Sequence, residues 1–469
     1  MTMTTHPVFI ALMAVLVIVV IRNLIAVAHL LISIWVFYTR PRPTVSRQAI
    51  WARRAAHSPP ITIIAPAFNE SLSVVDSASS LLAIEYPDHQ VIIVNDGSSD
   101  DTLERLIAAF QLYEVERRPV AHLHRTEVRG VYASRKHRNL TVIDKMNGRK
   151  ADAVNAGLSY ALTPLVCIID ADTIVEPDGL LRAAKPFVTD DGSLLAVGGT
   201  IRAVNGCRVE NGYVQAVGTP KSWLACFQIL EYTRAFLSVR VAAAHMKSLL
   251  LISGAFGVFR RDALMEIGGL RHDTVGEDLE VIVRLHRHFC GSGRPYKIDF
   301  IPEIVVWTDV PQTIKGLRNQ RARWQQGALE TLAHHRSMIG NPRYRQIGLW
   351  ALPIAYLEDV IGPFAELLGW ILMPIGFALG IIPAGLAVAF IFQTIVIGLG
   401  LSIGALVLDN KTRQRKPPTA KFAKIMFAAL IEGIGYRQLS LLFRLDGIRR
   451  YLRKEKAWAA AGRSALLRS

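Results

Sequence analysis

The chain has 469 residues, 51% of them hydrophobic, and a formal net charge of +16; the mean hydropathy of +0.28 is high for a water-soluble enzyme. The four cysteines, Cys167, Cys207, Cys226 and Cys290, have no C-x-x-C spacing, which argues against a zinc site or a disulfide frame and suits a reducing compartment. A basic balance suits nucleic acid or an anionic membrane surface; long apolar runs and the lack of a nucleic-acid motif select the membrane.

Residues 8–37 are apolar except for Arg22, Asn23, His29 and Ser33. As one helix they would run about 45 Å, longer than a bilayer core of roughly 30 Å, so a tilt or an interfacial end is required. Ala26-Val27-Ala28 has the look of a cleavage site, but no Lys or Arg precedes the run and apolar sequence continues past it, so a retained anchor is expected. Pro41 and Pro43 break the helix, and Arg40, Arg42, Arg47, Arg53 and Arg54 place this end in the cytoplasm by the positive-inside rule. Residues 1–57 therefore read as an anchor with a basic linker.

From residue 58 to 335 the pattern turns α/β. Ile61–Ala65 reads as a strand closed by Pro66-Ala67-Phe68-Asn69-Glu70, Ser71–Ala83 as a helix, Val91–Val94 as a strand and Thr102–Phe110 as a helix. Strands alternating with helices predict a mainly parallel sheet. The turn Asn95-Asp96-Gly97-Ser98-Ser99-Asp100 has the composition of a tight turn and helix cap; Asp96 also suits a base or sugar donor group. In Gly148-Arg149-Lys150-Ala151-Asp152-Ala153-Val154-Asn155-Ala156-Gly157, a glycine and two cations open a small-residue helix, a pattern shared by anion sites and solvated basic turns. Val166–Ile169 then reads as a buried strand ending in Asp170-Ala171-Asp172. Alternate residues of an extended chain share a side, so Asp170 and Asp172 face one ligand. Two carboxylates without Cys or His suit a hard ion, Mg²⁺ or Mn²⁺.

Farther on, Ala196–Asn205 resembles a strand. Trp223–Val239 reads as an amphipathic helix whose Trp223, Phe227, Leu230 and Phe236 pack into the core, and Ser253-Gly254-Ala255-Phe256-Gly257 as a small, flexible stretch. Glu277 and Asp278 cap a helix through Leu279–His288. Gln320-Arg321-Ala322-Arg323-Trp324 fits an amphipathic helix at a membrane surface; His334 and His335 read as surface residues.

Taken in order, P-A-F-N-E, N-D-G-S-S-D, G-R-K-A-D-A-V-N-A-G, D-A-D, G-E-D and Q-R-A-R-W resemble the family 2 glycosyltransferases over about residues 60–330. The last matches the Q-x-x-R-W of membrane-embedded, often processive members, among them synthases of cellulose, chitin, hyaluronan and poly-N-acetylglucosamine. The resemblance implies an inverting enzyme of GT-A fold. It places Ala67, Asn69, Glu70 and Asp96 around the uridine, Lys150 on the diphosphate, Asp170 on the nucleotide side and Asp172 on the metal. It makes Asp278, beside Glu277, the general base, sets Gln320, Arg323 and Trp324 along the donor and acceptor channel, and puts the 253–257 stretch near the acceptor. Where this chain has Gly276, many relatives carry Thr.

Residues 349–378 and 381–408 are apolar stretches, the first carrying Glu358, Asp359 and Glu366. These acids suit either a channel lining or an interfacial turn ahead of a span that starts near Phe364. Lys411, Arg413, Arg415, Lys416 and Lys421 predict a cytoplasmic loop and an in–out–in hairpin. Residues 422–446, interrupted by Glu432, Arg437 and Arg444, predict an interfacial or re-entrant helix. The layout is thus transmembrane and interfacial helices over 336–448 and a basic cytoplasmic tail over 449–469, in a multi-pass protein of the inner (plasma) membrane with its catalytic domain in the cytoplasm.

Three functions compete. The first is processive synthesis of a β-linked polysaccharide from UDP-N-acetylglucosamine or UDP-glucose, with export through the membrane and room for accessory subunits. The second is addition of one sugar to a lipid such as diacylglycerol or a ceramide-like acceptor. The third is an inactive membrane scaffold, against which the intact acidic motifs argue.

Overall fold

The computed structural model describes residues 7–39, 58–171, 173–210, 212–412 and 419–455. Asp172 lies outside the described residues, as do the basic linker with Pro41 and Pro43, Arg413, Arg415 and Lys416, and the end of the tail.

Among the described residues there are twelve strands: β1 (Ile61–Ala67), β2 (His89–Asp96), β3 (Leu112–Glu114), β4 (Val128–Ser134), β5 (Leu140–Lys145), β6 (Leu165–Ile169), β7 (Ile174–Val175), β8 (Leu194–Ala203), β9 (Arg208–Glu210), β10 (Tyr213–Ala216), β11 (Phe256–Arg260) and β12 (Lys297–Thr308). Ten form one sheet in the order β3-β4-β5-β2-β1-β6-β11-β8-β12-β7, while β9 and β10 pair apart. Within the sheet β4, β7 and β11 run against the other seven, so the expected mainly parallel arrangement holds.

The centre, β5-β2-β1-β6, is wholly parallel, with Ile63 opposite Val91 on one side and Cys167 on the other. Its apolar residues, Ile61, Ile63, Ile64, Val91–Val94 and Val166–Ile169, are buried. Burial on both faces explains why these strands are continuous in Val and Ile rather than alternating. Four carboxyl ends therefore emerge side by side, at Ala67, Asp96, Lys145 and Ile169, where open α/β sheets bind ligands.

Among the described residues three helices are long and apolar enough to cross a membrane: Pro7–Thr39, Ile347–Ala378 and Ala384–Thr412. A fourth pair, Ala423–Ile431 and Tyr436–Leu452, is bent by 66° at its break, as a re-entrant or broken segment would be. The first helix is packed into the fold: Leu30, Val36 and Phe37 join the main core, the Ser33 hydroxyl donates to the Leu237 carbonyl, and Trp35 meets His245 edge-on at 5.0 Å.

The acids of the second span are engaged by other helices. Arg22 pairs with Glu358 at 2.8 Å and Glu366 at 3.8 Å, and Arg444 pairs with Asp359 at 3.1 Å. Acids in so apolar a helix are tolerated when they are neutralised in this way.

Candidate active site

The nucleotide-side turns are knitted together by short polar residues. Asn69, at φ 55°, accepts the Ser99 N–H at 2.8 Å through Oδ1, and its own N–H donates to Ser98 Oγ at 3.0 Å. The Glu70 N–H donates to Thr102 Oγ1 at 2.9 Å, and Glu70 Oε2 accepts from Ser73 Oγ at 2.8 Å. Ala67 is buried at the end of β1. Asn69 and Glu70 thus brace the turn with their side chains.

Asp96 ends β2 beside a residue that sequence reading passed over. Lys145, the last residue of β5, is fully buried (0% exposed) and bridges Asp96 Oδ1 at 2.7 Å and Asp152 Oδ2 at 2.8 Å. The Gly148 N–H also donates to Asp96 Oδ1, at 3.0 Å. Asp96 Oδ2 is buried with no hydrogen-bond partner among the described residues. Burial pushes the Asp96 carboxyl up, against the pull of Lys145. One oxygen is committed to the fold and the other remains an open acceptor.

The helix Arg149–Tyr160 starts at this point and packs under β1 and β2. Its Asp152 accepts the Arg125 N–H at 2.6 Å and Thr126 Oγ1 at 2.6 Å. Its Asn155 grips one backbone position twice, accepting the Leu270 N–H at 2.7 Å and donating to the Leu270 carbonyl at 2.8 Å. The same helix therefore anchors Asp96, through Lys145, and the segment leading to Asp278.

Lys150 sits on that helix in a nest of acids. Its Nζ lies 2.6 Å from Asp170 Oδ1, 3.3 Å from Glu277 Oε1 and 3.3 Å from the Gly254 carbonyl. Burial alone would lower its pKa, but Asp170 and Glu277 outweigh burial and hold the ammonium well above its ordinary range. Burial pushes Glu277 up, and neighbouring Asp278 adds to the push while Lys150 opposes it.

Asp278 accepts the Gly254 N–H at 3.1 Å through Oδ2 and the Leu279 N–H at 2.9 Å through Oδ1. A Cβ on Gly254 would lie 2.7 Å from Lys150 Nζ and 3.5 Å from Asp278 Oδ2. Glycine is what lets the 253–257 stretch run between them. Asp170, Lys150, Gly254, Glu277 and Asp278 thus form one cluster.

Among the described residues no three His, Cys, Asp or Glu side chains converge to hold an ion unaided. The oxygen-only donors nonetheless fit Mg²⁺ or Mn²⁺, which bind through one or two carboxylates and complete their shells with substrate phosphates and water.

The helix Ile314–His334 brings the remaining residues. Arg321, buried and absent from the sequence-derived set, pairs with Glu231, which also accepts the Tyr436 hydroxyl at 2.8 Å. Arg321 Nη1 donates to Gln320 Oε1 at 3.2 Å, and its guanidinium lies 4.2 Å from the Trp324 ring centre. Trp324 is left 46% exposed, and Arg323 is half-buried beside it. Arg321 packs the helix, while Trp324 and Arg323 are presented.

Gly276 has a steric explanation. A Cβ there would lie 2.8 Å from Gly327 Cα, and one on Gly327 would lie 2.7 Å from Gly276 Cα. Two glycines let the start of the Glu277–Gly291 helix touch the Ile314–His334 backbone. Gly276→Thr is therefore expected to destabilise the fold by about 1–3 kcal/mol, the usual cost of overpacking, seen as a lower melting temperature. Unchanged melting would remove this account.

His335 corrects the surface expectation, while His334 stays partly exposed. His335 is buried and pairs with Glu280 Oε1 at 3.2 Å, and His334 lies 3.7 Å from Asp273. Both carboxylates come from segments distant in sequence.

The family described as "Glycosyl transferase family group 2" matches residues 165–407. Poly-beta-1,6-N-acetyl-D-glucosamine synthase of Staphylococcus epidermidis is 29% identical over 301 residues, covering 64% of this chain and 62% of that one. The Staphylococcus aureus protein of the same name is 28% identical over 309 residues, covering 66% and 63%. The aligned stretch thus spans less than two thirds of either relative. Among solved structures, the mannosyltransferase PcManGT from Pyrobaculum calidifontis, in complex with GDP-Man and Mn2+, superposes with a TM-score of 0.57 at 17% identity, over 94% of this chain and 100% of that one. This likeness establishes the GT-A type of fold.

Proposed function

Because the chain belongs to glycosyl transferase family group 2, we propose that this glycosyltransferase moves a sugar from a UDP-sugar to the hydroxyl end of a growing β-linked polysaccharide, with inversion. UDP-N-acetylglucosamine is the first choice of donor, after the names of the staphylococcal relatives, and UDP-glucose the second. The observation that carries the reading is the convergence of Lys150, Asp170, Glu277 and Asp278 at the carboxyl ends of the parallel strands.

Each residue then has a task. Asp96 Oδ2 accepts a donor-group hydrogen bond from the nucleoside, and the turn at Ala67, Asn69 and Glu70 borders it. Lys150 carries its charge to the diphosphate. Asp278 takes the proton of the acceptor hydroxyl as its oxygen attacks the anomeric carbon, and the bond to the β-phosphate breaks with its electron pair leaving on UDP. Lys150 and Arg323 stabilise that negative charge where it collects. Trp324, with Gln320 near it, offers an apolar face to a sugar ring. Asp172 and Asp170 would hold Mg²⁺ or Mn²⁺, which neutralises diphosphate charge when bound.

The apolar helices support a multi-pass protein of the plasma membrane with the sheet domain on the cytoplasmic side, and leave room for accessory subunits. Transfer to a lipid is the second reading, since the same cluster would serve any alcohol.

The test is to supply labelled UDP-N-acetylglucosamine and UDP-glucose to the purified protein in lipid vesicles and to size the product. A long polymer is expected. A short glycolipid would replace the first reading with the second, and no incorporation would refute both. Asp172→Ala is expected to weaken metal-dependent UDP binding, read by titration calorimetry with and without Mn²⁺; full wild-type turnover in chelator would sink the metal assignment.

A further inference from the structure

The base has a cationic neighbour with no task so far. Arg240 ends the π-helical stretch Arg234–Arg240, which continues the helix Trp223–Thr233. Such wide turns are frequent at functional sites. Tyr232, Phe236 and Arg240, four residues apart, share one side of this segment. Tyr232 lies 6.4 Å from the Trp324 ring, Phe236 lies 5.8 Å from Tyr232, and the Arg240 guanidinium sits 4.0 Å over Phe236. Ring contacts thus link the exposed Trp324 to Arg240 by way of Phe236, which is itself buried in the core.

Asp278 is near enough to act on the charge of Arg240. Burial pulls the Arg240 guanidinium down to about 10, and Asp278 is the strongest attraction opposing that shift. Arg240 Nη1 is buried with no hydrogen-bond partner among the described residues. Enclosed donors of this kind are costly, and native structures almost always give them an acceptor. Asp278 spends its two oxygens on the Gly254 and Leu279 N–H groups.

We propose that Arg240 is an acceptor-binding residue, its Nη1 donating to a hydroxyl of the acceptor sugar and holding that sugar over Asp278, with Tyr232 and Trp324 along the preceding units. The inference rests on the transferase reading above and names the groups that receive the acceptor. Arg240 is not the proton acceptor, because a guanidinium has no lone pair to offer. Its task is to place the attacking oxygen beside the carboxylate, where small displacements are costly in rate.

The test uses full-length protein in lipid nanodiscs, with Arg240→Met, which keeps length and packing on Phe236 but removes donor and charge, and Arg240→Lys, which restores charge. The probe is a short β-1,6-linked N-acetylglucosamine oligosaccharide, titrated alone for binding and then with UDP-N-acetylglucosamine for transfer. Arg240→Met is expected to bind the oligosaccharide about tenfold or more weakly, the size of a lost charge-assisted hydrogen bond. Its UDP affinity and melting temperature should stay at the wild-type values, and Arg240→Lys should recover part of the loss.

Equal oligosaccharide binding by wild type and Arg240→Met overturns the proposal, as does a parallel fall in UDP affinity and melting temperature, or an oligosaccharide that binds neither protein. Wild-type protein that binds the oligosaccharide but turns over no UDP-sugar defeats the donor reading alone; weaker binding by Arg240→Met would still support the Arg240 assignment.

Discussion

Asp278→Asn should reduce sugar transfer by roughly 10²–10⁴-fold, the range contributed by a positioned general base, while UDP still binds. The amide cannot take the acceptor proton. It retains one oxygen, so one of the two N–H groups now held, on Gly254 and Leu279, loses its acceptor. That costs about 1–3 kcal/mol, and a modest fall in melting temperature should accompany the kinetic loss. In the proposed arrangement UDP is held by other groups, the Asp96 oxygen and the Lys150 ammonium, so its binding should change little by calorimetry. Wild-type turnover in Asp278→Asn would refute the base assignment, and loss of UDP binding in step with transfer would mean that the cluster had collapsed.

Lys145→Met should have the largest effect on stability, about 3–5 kcal/mol, because it removes the cation from between two buried carboxylates. Asp96 and Asp152 would then repel each other with little water to screen them. The loss should appear as a large drop in melting temperature and as weakened UDP binding, since Asp96 no longer has a fixed position. Adding Asp152→Asn to the mutant removes one stranded charge and should recover part of the stability; a double mutant no better than the single would show that packing, not charge, was at fault. The pH response follows the same groups. Burial works against the Asp152 carboxylate, but Lys145, Thr126 and the Arg125 N–H outweigh it and hold its pKa below the ordinary range. Its stabilising contribution is therefore present above the ordinary carboxylate pKa and is lost as pH falls through the depressed value.

The parts legible in the sequence are those whose physics is local. β1, β2 and β6 announce themselves through unbroken Val and Ile, and the helix Thr102–Phe110 has the predicted bounds. Asp170 stands out locally as the acid that ends a buried strand, whereas Lys150 and Asp278, which local pattern reads only as a helix-opening cation and a helix cap, are singled out by the family resemblance. What escaped depends on partners far along the chain. Lys145 reads as an ordinary strand-ending cation until Asp96 and Asp152 close on it. Gly276 seems a lost hydroxyl until Gly327 is seen against it. Arg240 and Arg321 are arginines in helices, a class that usually faces water, and His335 is buried only because Glu280 meets it. β4 and β5 lie among charged residues that hide their inward faces.

The pairing of Arg22 with Glu358 and Glu366 bears on how the protein can be shortened. Cutting away the leading helix to obtain a soluble fragment would orphan two carboxylates in an apolar helix; if that helix spans a bilayer, a charge at its centre costs about 2.5–3.5 kcal/mol. The damage would surface far from the cut, as poor insertion of residues 347–378. Supplying residues 1–57 as a separate polypeptide should rescue it, and a leader carrying Leu in place of Arg22 should not.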